Sequence, residues 1–219
     1  ALFSKNSKEL YFSILALWEL GKELLFLNTH LTLAELTFQL KDAQVKTIIG
    51  APETQALLEE ISFVDVQPMV KKQHSLSHQE FQQPSDLESV ASIMYTSGTT
   101  GQPKGVLQRF KNHLASARGT QENMGITAED CWLCAVPLFH ISGLSIVVRQ
   151  LVLGCSIRLY DKFDEQQVTQ DLQEGRGTVI SVVATMLQQL LSVYPEAGYS
   201  VSFKGMLLRS EEHTSELQS

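Results

Sequence analysis

Apolar positions recur at two spacings that alternate along the chain. From Lys8 to Leu20 they fall at Leu10, Ile14, Leu17 and Trp18, which is one face of a helix, and Gly21 closes the segment. Leu24 to Leu27 reads as a strand. Thr32-Leu33-Ala34-Glu35 is a capping box, in which hydroxyl and carboxylate satisfy each other's orphan backbone N–H groups, and it opens a helix through Leu36 and Leu40. Val45 to Ile49 predicts a strand, and Pro52 a short helix through Leu57 and Leu58. From Lys71 to Glu88 the chain is polar and almost without period, which marks a linker or surface excursion over about 71–88.

The same alternation resumes beyond it. Ala91 to Met94 predicts a buried strand. Later strands are expected at Trp132–Val136, Ile157–Tyr160, Val179–Val183 and near Met206–Leu208. Helices are expected at Lys111–Met124, Leu144–Leu153, Glu165–Leu172 behind an Asp164 cap, and Thr185–Tyr194; Gly125 and Gly154 close the first two. Strands alternating with helices of this length predict an α/β fold: layered βαβ units with mainly parallel sheets covered by helices.

Composition narrows the function without naming it. The 219 residues carry a formal charge of −7, and 43% are hydrophobic, ample for a core. Lys and Arg are scattered rather than clustered, so no nucleic-acid partner is expected. No run reaches the ~18 apolar residues of a membrane span, and the start shows no secretory signal, so the expected location is cytoplasmic. Three cysteines cannot all pair. Cys131 and Cys134 lie on an expected strand, where residues three apart face opposite ways, which argues against a shared metal.

The chemistry is concentrated in Tyr95-Thr96-Ser97-Gly98-Thr99-Thr100-Gly101-Gln102-Pro103-Lys104-Gly105-Val106. Glycines allow backbone N–H groups to turn inward, hydroxyls donate to phosphate oxygens, and one lysine adds a positive charge, which are the parts of a polyphosphate cradle. It is not a Walker A loop, since no Gly-Lys-Ser/Thr closes it and Pro103 precedes the lysine. A second segment, Pro137-Leu138-Phe139-His140-Ile141-Ser142-Gly143-Leu144-Ser145, leaves an expected strand and enters a helix, where ligands gather in open α/β sheets. Taken alone, His140 reads more readily as a core histidine bonded to backbone than as a site residue.

The first of these motifs resembles the signature loop of the adenylate-forming (AMP-binding, acyl-CoA synthetase) superfamily, and the second its acyl-pocket segment. Phe139 to Ser145, Asp161-Lys162-Phe163, Ile180 to Leu187 and the early stretch from Ala16 to Thr32 are similar to the o-succinylbenzoate–CoA ligase family of menaquinone biosynthesis. The resemblance implies a partial AMP-binding N-terminal domain over 1–208, using ATP, Mg²⁺ and coenzyme A as co-substrate to activate a small carboxylic acid. It implies that Thr96, Ser97, Gly98, Thr99, Thr100, Gly101 and Lys104 hold the ATP phosphates. Lys104 would act from a loop hinged at Gly98, Gly101 and Gly105, and His140 and Gly143 would border the acid.

Other readings are a fatty-acyl or aryl-acid CoA ligase, a P-loop phosphate-binding module, and an incomplete domain without activity. The last is the expectation for the isolated chain. Family members are about twice as long, the chain starts without Met, and residues 209–219 resemble the translation of a sequencing adapter.

Overall fold

The computed structural model describes residues 1–50, 65–68, 86–96 and 102–209, with backbone alone at 65–68 and 209. The helix expected after Pro52, most of the 71–88 stretch and the tail from 210 lie outside the described residues. The described chain forms two compact units, Ala1–His113 and the remainder from Leu114.

In the first unit, β1 (Leu2–Phe3) leads into α1 (Lys8–Glu19). Ser7 caps this helix, its hydroxyl accepting from the Leu10 N–H at 3.0 Å. Leu10, Ile14 and Trp18 are its buried face, and the Trp18 indole donates to the Ala91 carbonyl at 2.8 Å. After β2 (Leu24–Leu25), α2 (Leu33–Asp42) starts at the expected capping box, with the Thr32 N–H donating to Glu35 Oε2 at 2.8 Å. Strands β3 (Thr47–Gly50) and β4 (Asp65–Pro68) complete a parallel sheet in the order β1-β3-β4. Phe3, Leu25, Leu27, Leu36, Leu40 and Ile48 form a buried cluster, against which Ile93 and Tyr95 pack.

Those last two residues belong to β5 (Val90–Thr96), which pairs parallel to β2 and antiparallel to β6 (Lys104–Arg109). The antiparallel pair is a departure from the expected architecture, because Lys104 to Val106 reads as loop in the sequence. Helix α3 (Phe110–Met124) follows, one residue longer than expected at its start, and ends at Gly125 with φ 61°.

The second unit is the regular one. Strands β7 (Cys131–Cys134), β8 (Ser156–Leu159), β9 (Val179–Val183) and β10 (Gly205–Arg209) form one sheet, in the order β10-β9-β7-β8, parallel throughout. Val179, Ile180, Ser181 and Val182 are all buried, as a strand covered on both faces requires. The helices between are α4 (Ile141–Leu153), α5 (Glu165–Gln173) and α6 (Ala184–Ser192). The Asp164 carboxylate accepts from the Gln167 N–H at 2.9 Å and caps α5 as expected.

Two buried carboxylates fasten this unit. Asp171 accepts from Arg158, Tyr160 and Arg176. Burial acts to raise its carboxyl, but hydrogen bonds from Tyr160, Arg176 and Arg158 outweigh that and hold it below the usual range. Asp130 is met by Lys204 Nζ at 2.7 Å, the Thr127 N–H at 2.7 Å and the Thr178 hydroxyl at 2.8 Å. None of the helices described is long and apolar enough to cross a membrane.

Candidate functional site

The first candidate segment is the open end of the β5–β6 hairpin. Thr96 and Lys104 are partners in the last register pair, so the two ends of the Ser/Thr/Gly loop leave one ladder side by side. Lys104 is exposed and Thr96 half-buried. Ser97, Gly98, Thr99, Thr100 and Gly101 lie outside the described residues. The expectation that Lys104 rides on a glycine-hinged loop is corrected here: Lys104 and Gly105 are strand residues.

Gly105 has a spatial reason. It faces Tyr95 across the ladder, and a Cβ placed on it would lie 3.2 Å from Tyr95 Cζ. The phenol thus occupies the room a side chain at 105 would need. It donates to Asp42 Oδ2 at 2.5 Å at the end of α2, and its ring meets Phe38 edge-on at 6.3 Å. Burial, then the hydrogen bond and charge of Asp42, push the phenol well above its usual range, so it remains a donor at ordinary pH.

Deeper in the same unit, buried Ser92 and His113 meet at 2.9 Å between Oγ and Nε2. Burial pushes the ring from the usual 6.5 down to about 4. A neutral ring in the fold and a titrating one in the unfolded chain imply that stability is complete above about pH 6.5. It falls as pH drops towards 4, and levels off below. At pH 5 the loss from this residue is about 2 kcal/mol, 1.5 pH units at ~1.4 kcal/mol each. Urea unfolding at pH 7 and pH 5 checks this: His113→Gln is expected to flatten that part of the pH dependence, and an unchanged slope would contradict it.

The second candidate segment is the turn from β7 into α4. The His140 N–H donates to the Pro137 carbonyl at 3.2 Å, and the His140 carbonyl accepts from the Gly143 and Leu144 N–H groups, both at 3.0 Å. His140 is the N-cap residue of α4, and its side chain is exposed, with the ring centroid 4.7 Å from that of Phe139. The core-histidine alternative is therefore not what the fold builds. Gly143 is buried, and a Cβ there would lie 2.2 Å from the Pro137 oxygen and 2.9 Å from Leu138 Cα. Only hydrogen fits, so the first turn of α4 sits directly on the backbone of the segment leaving β7.

Behind the turn, Ser145 donates to the Ser142 carbonyl at 3.0 Å, and buried Arg149 donates to Ser145 Oγ and to Thr120 Oγ1. The Arg149 guanidinium lies 4.7 Å from the Trp132 ring centroid, and the Trp132 indole donates to Ser181 Oγ at 3.1 Å. Sequence reasoning gave no role to Tyr95, Asp42 or Arg149. Tyr95 opened the quoted motif, but its partner lies 53 residues earlier.

Among the described residues no group of three His, Cys, Asp or Glu could hold a metal ion. The free Cys134 is fully buried, its thiol pushed up to about 12 by burial, which suits a core residue and not a ligand.

One unit thus carries a hydroxyl- and lysine-bearing hairpin, and the other a strand-to-helix turn on a parallel sheet. The chain belongs to the AMP-binding enzyme family, whose profile matches residues 1–217. It is 99% identical over 208 residues to the 2-succinylbenzoate–CoA ligase of Enterococcus faecalis, covering 95% of this chain and 43% of that relative. The chain thus spans less than half of that relative's length.

Among solved structures it is similar to o-succinylbenzoate CoA synthetase of Bacillus subtilis in complex with the acyl-adenylate intermediate OSB-AMP. That match has a TM-score of 0.84 and 33% identity, over 96% of this chain and 55% of that one. The same synthetase with ATP and magnesium ion matches with a TM-score of 0.81 and 34% identity, over 94% of this chain and 43% of that one.

Proposed function

We propose that this chain is the part of an ATP-dependent acid–CoA ligase that holds the ATP phosphates and borders the acid, with 2-succinylbenzoate as the acid. The observation that carries the reading is the β5–β6 hairpin, which delivers Thr96 and Lys104 as a register pair to one end of the ladder. The likeness to the enterococcal ligase supports the substrate over a fatty-acyl or aryl-acid CoA ligase. A P-loop module is not supported, because Lys104 opens a strand rather than a helix.

The reaction has two displacements. A carboxylate oxygen of the acid attacks the α-phosphorus of ATP, and the bond to the departing pyrophosphate breaks. The coenzyme A thiol then attacks the acyl carbon, loses its proton, and AMP leaves. Pyrophosphate departure concentrates negative charge, so the demand on the protein is preorganised positive charge and N–H or O–H donors. Thr96, Ser97, Thr99 and Thr100, with the N–H groups of Gly98 and Gly101, are assigned to the phosphates, and Lys104 to the pyrophosphate. His140 is assigned to the acid, from the exposed cap of α4, and Gly143 keeps the turn beneath it in place.

Mg²⁺ would arrive with ATP and would offset negative charge on its phosphates. Coenzyme A enters as the second substrate. The use of ATP and coenzyme A supports a cytoplasmic place for the reaction.

ATP–pyrophosphate exchange by the full-length enterococcal relative tests the assignment. Exchange is expected to depend on 2-succinylbenzoate. His140→Ala should raise the KM for that acid about 10-fold, the loss of roughly one hydrogen bond, while the KM for ATP stays put. Equal exchange with fatty or simple aryl acids would move the assignment to those enzymes. A lowered melting temperature with normal kinetics would return His140 to a structural role.

A further inference from the structure

The phenol of Tyr95 ties the end of the hairpin that carries Lys104 to a helix distant in sequence. Tyr95 is the penultimate residue of β5, next to Thr96 and directly opposite Gly105. Its hydroxyl reaches past the ladder to Asp42 Oδ2 at 2.5 Å, and lies 3.4 Å from the Gln39 carbonyl, both on the last turns of α2.

The rest of α2 is firmly placed. Leu36 and Leu40 sit in the buried cluster of the unit, and the capping box holds its start. The strand pair, by contrast, is exposed along β6, where Val106 and Leu107 face solvent. A β-ladder end with one exposed strand frays readily, since its outer backbone groups have only one neighbour. The phenol therefore joins the end of the hairpin to a rigid body.

From this the geometry points to Tyr95 as the positioning residue of Lys104: held by Asp42 and admitted by the missing side chain at Gly105, it fixes the strand end from which the lysine projects. The inference rests on the assignment of Lys104 to the pyrophosphate made above. It gives Gly105 a purpose other than hinge motion and gives Asp42 a part in catalysis without contact with any substrate. A charge preorganised to within a fraction of an ångström stabilises a transition state that a wandering one does not.

The experiment is a double-mutant comparison in the full-length enterococcal relative, read by ATP–pyrophosphate exchange. Tyr95→Phe keeps the ring and its contact with Phe38 and removes only the donor. It is expected to lower the exchange rate about 5- to 10-fold, as loss of one charge-assisted hydrogen bond would, with the KM for 2-succinylbenzoate unchanged. Asp42→Asn should give a similar loss, and the double variant no more than either single one. In a Lys104→Ala background, Tyr95→Phe should have no further effect, because the group it positions is gone.

An undiminished rate for Tyr95→Phe overturns the inference. So does an equal further fall in the Lys104→Ala background, and so does a lowered melting temperature with unchanged exchange, which marks a purely structural bond. If Lys104→Ala itself exchanges at the normal rate, the assignment of Lys104 fails, and that result is visible separately from the Tyr95 comparison.

Discussion

Lys104→Ala in the full-length enterococcal relative is expected to reduce ATP–pyrophosphate exchange by roughly 100-fold, with little change in the KM for the acid. Lys104 is exposed at the open end of a hairpin whose other strand ends in Thr96. A preorganised donor or charge aimed at a developing anion typically contributes about 3 kcal/mol to the transition state, and each 1.4 kcal/mol is tenfold in rate. Because the charge appears on pyrophosphate only as the bond breaks, the loss should fall on turnover more than on binding. Lys104→Arg should recover part of the rate, since it restores charge with a different reach and geometry. Normal exchange by Lys104→Ala would remove the lysine from the mechanism.

Gly143→Ala is the second substitution with a large expected effect. Within a helix, alanine is ordinarily the better residue by about 1 kcal/mol. Here the added methyl would stand 2.2 Å from the Pro137 oxygen, an approach that backbone must move to relieve. Forced shifts of this kind typically cost about 1–3 kcal/mol, occasionally more, so the clash outweighs the propensity gain. The melting temperature should fall by several degrees. The KM for 2-succinylbenzoate should rise together with it, because the cap residue His140 bonds to this same turn through its carbonyl. A thermal melt and acid-dependent exchange on one preparation check both; an unchanged melt would mean that the turn has slack.

Residues that talk to near neighbours were legible in the sequence, and those that talk across the fold were not. The capping box of α2, the Asp164 cap of α5 and the boundaries of β9 follow from side chains within a few positions of each other. The start of α4 does not. The expected start is Leu144, whereas the helix begins at Ile141, and its first turn includes a glycine that packs on the backbone of the segment leaving β7.

Strand β6 was hidden for a similar reason. Lys104 to Arg109 has no clean alternation, and it becomes a strand by pairing with β5. The two-residue β1 and the short β4 are likewise defined by the strand beside them rather than by pattern. Both candidate motifs were found from composition and spacing. What anchors the first of them, Asp42, lies 53 residues from Tyr95 and carries no local signature.

The tight seat of Gly143 also divides the turn for anyone wishing to redirect the acid that such a ligase accepts. Gly143 sits against the backbone of Pro137 and Leu138, which leaves no room for a side chain at 143. Exposed His140 and half-buried Ile141 and Ser142 are free of that constraint. A combinatorial library confined to 140–142 would alter the surface proposed to border the acid while the scaffold beneath keeps its shape, and diversity spent on 143 would mostly cost stability.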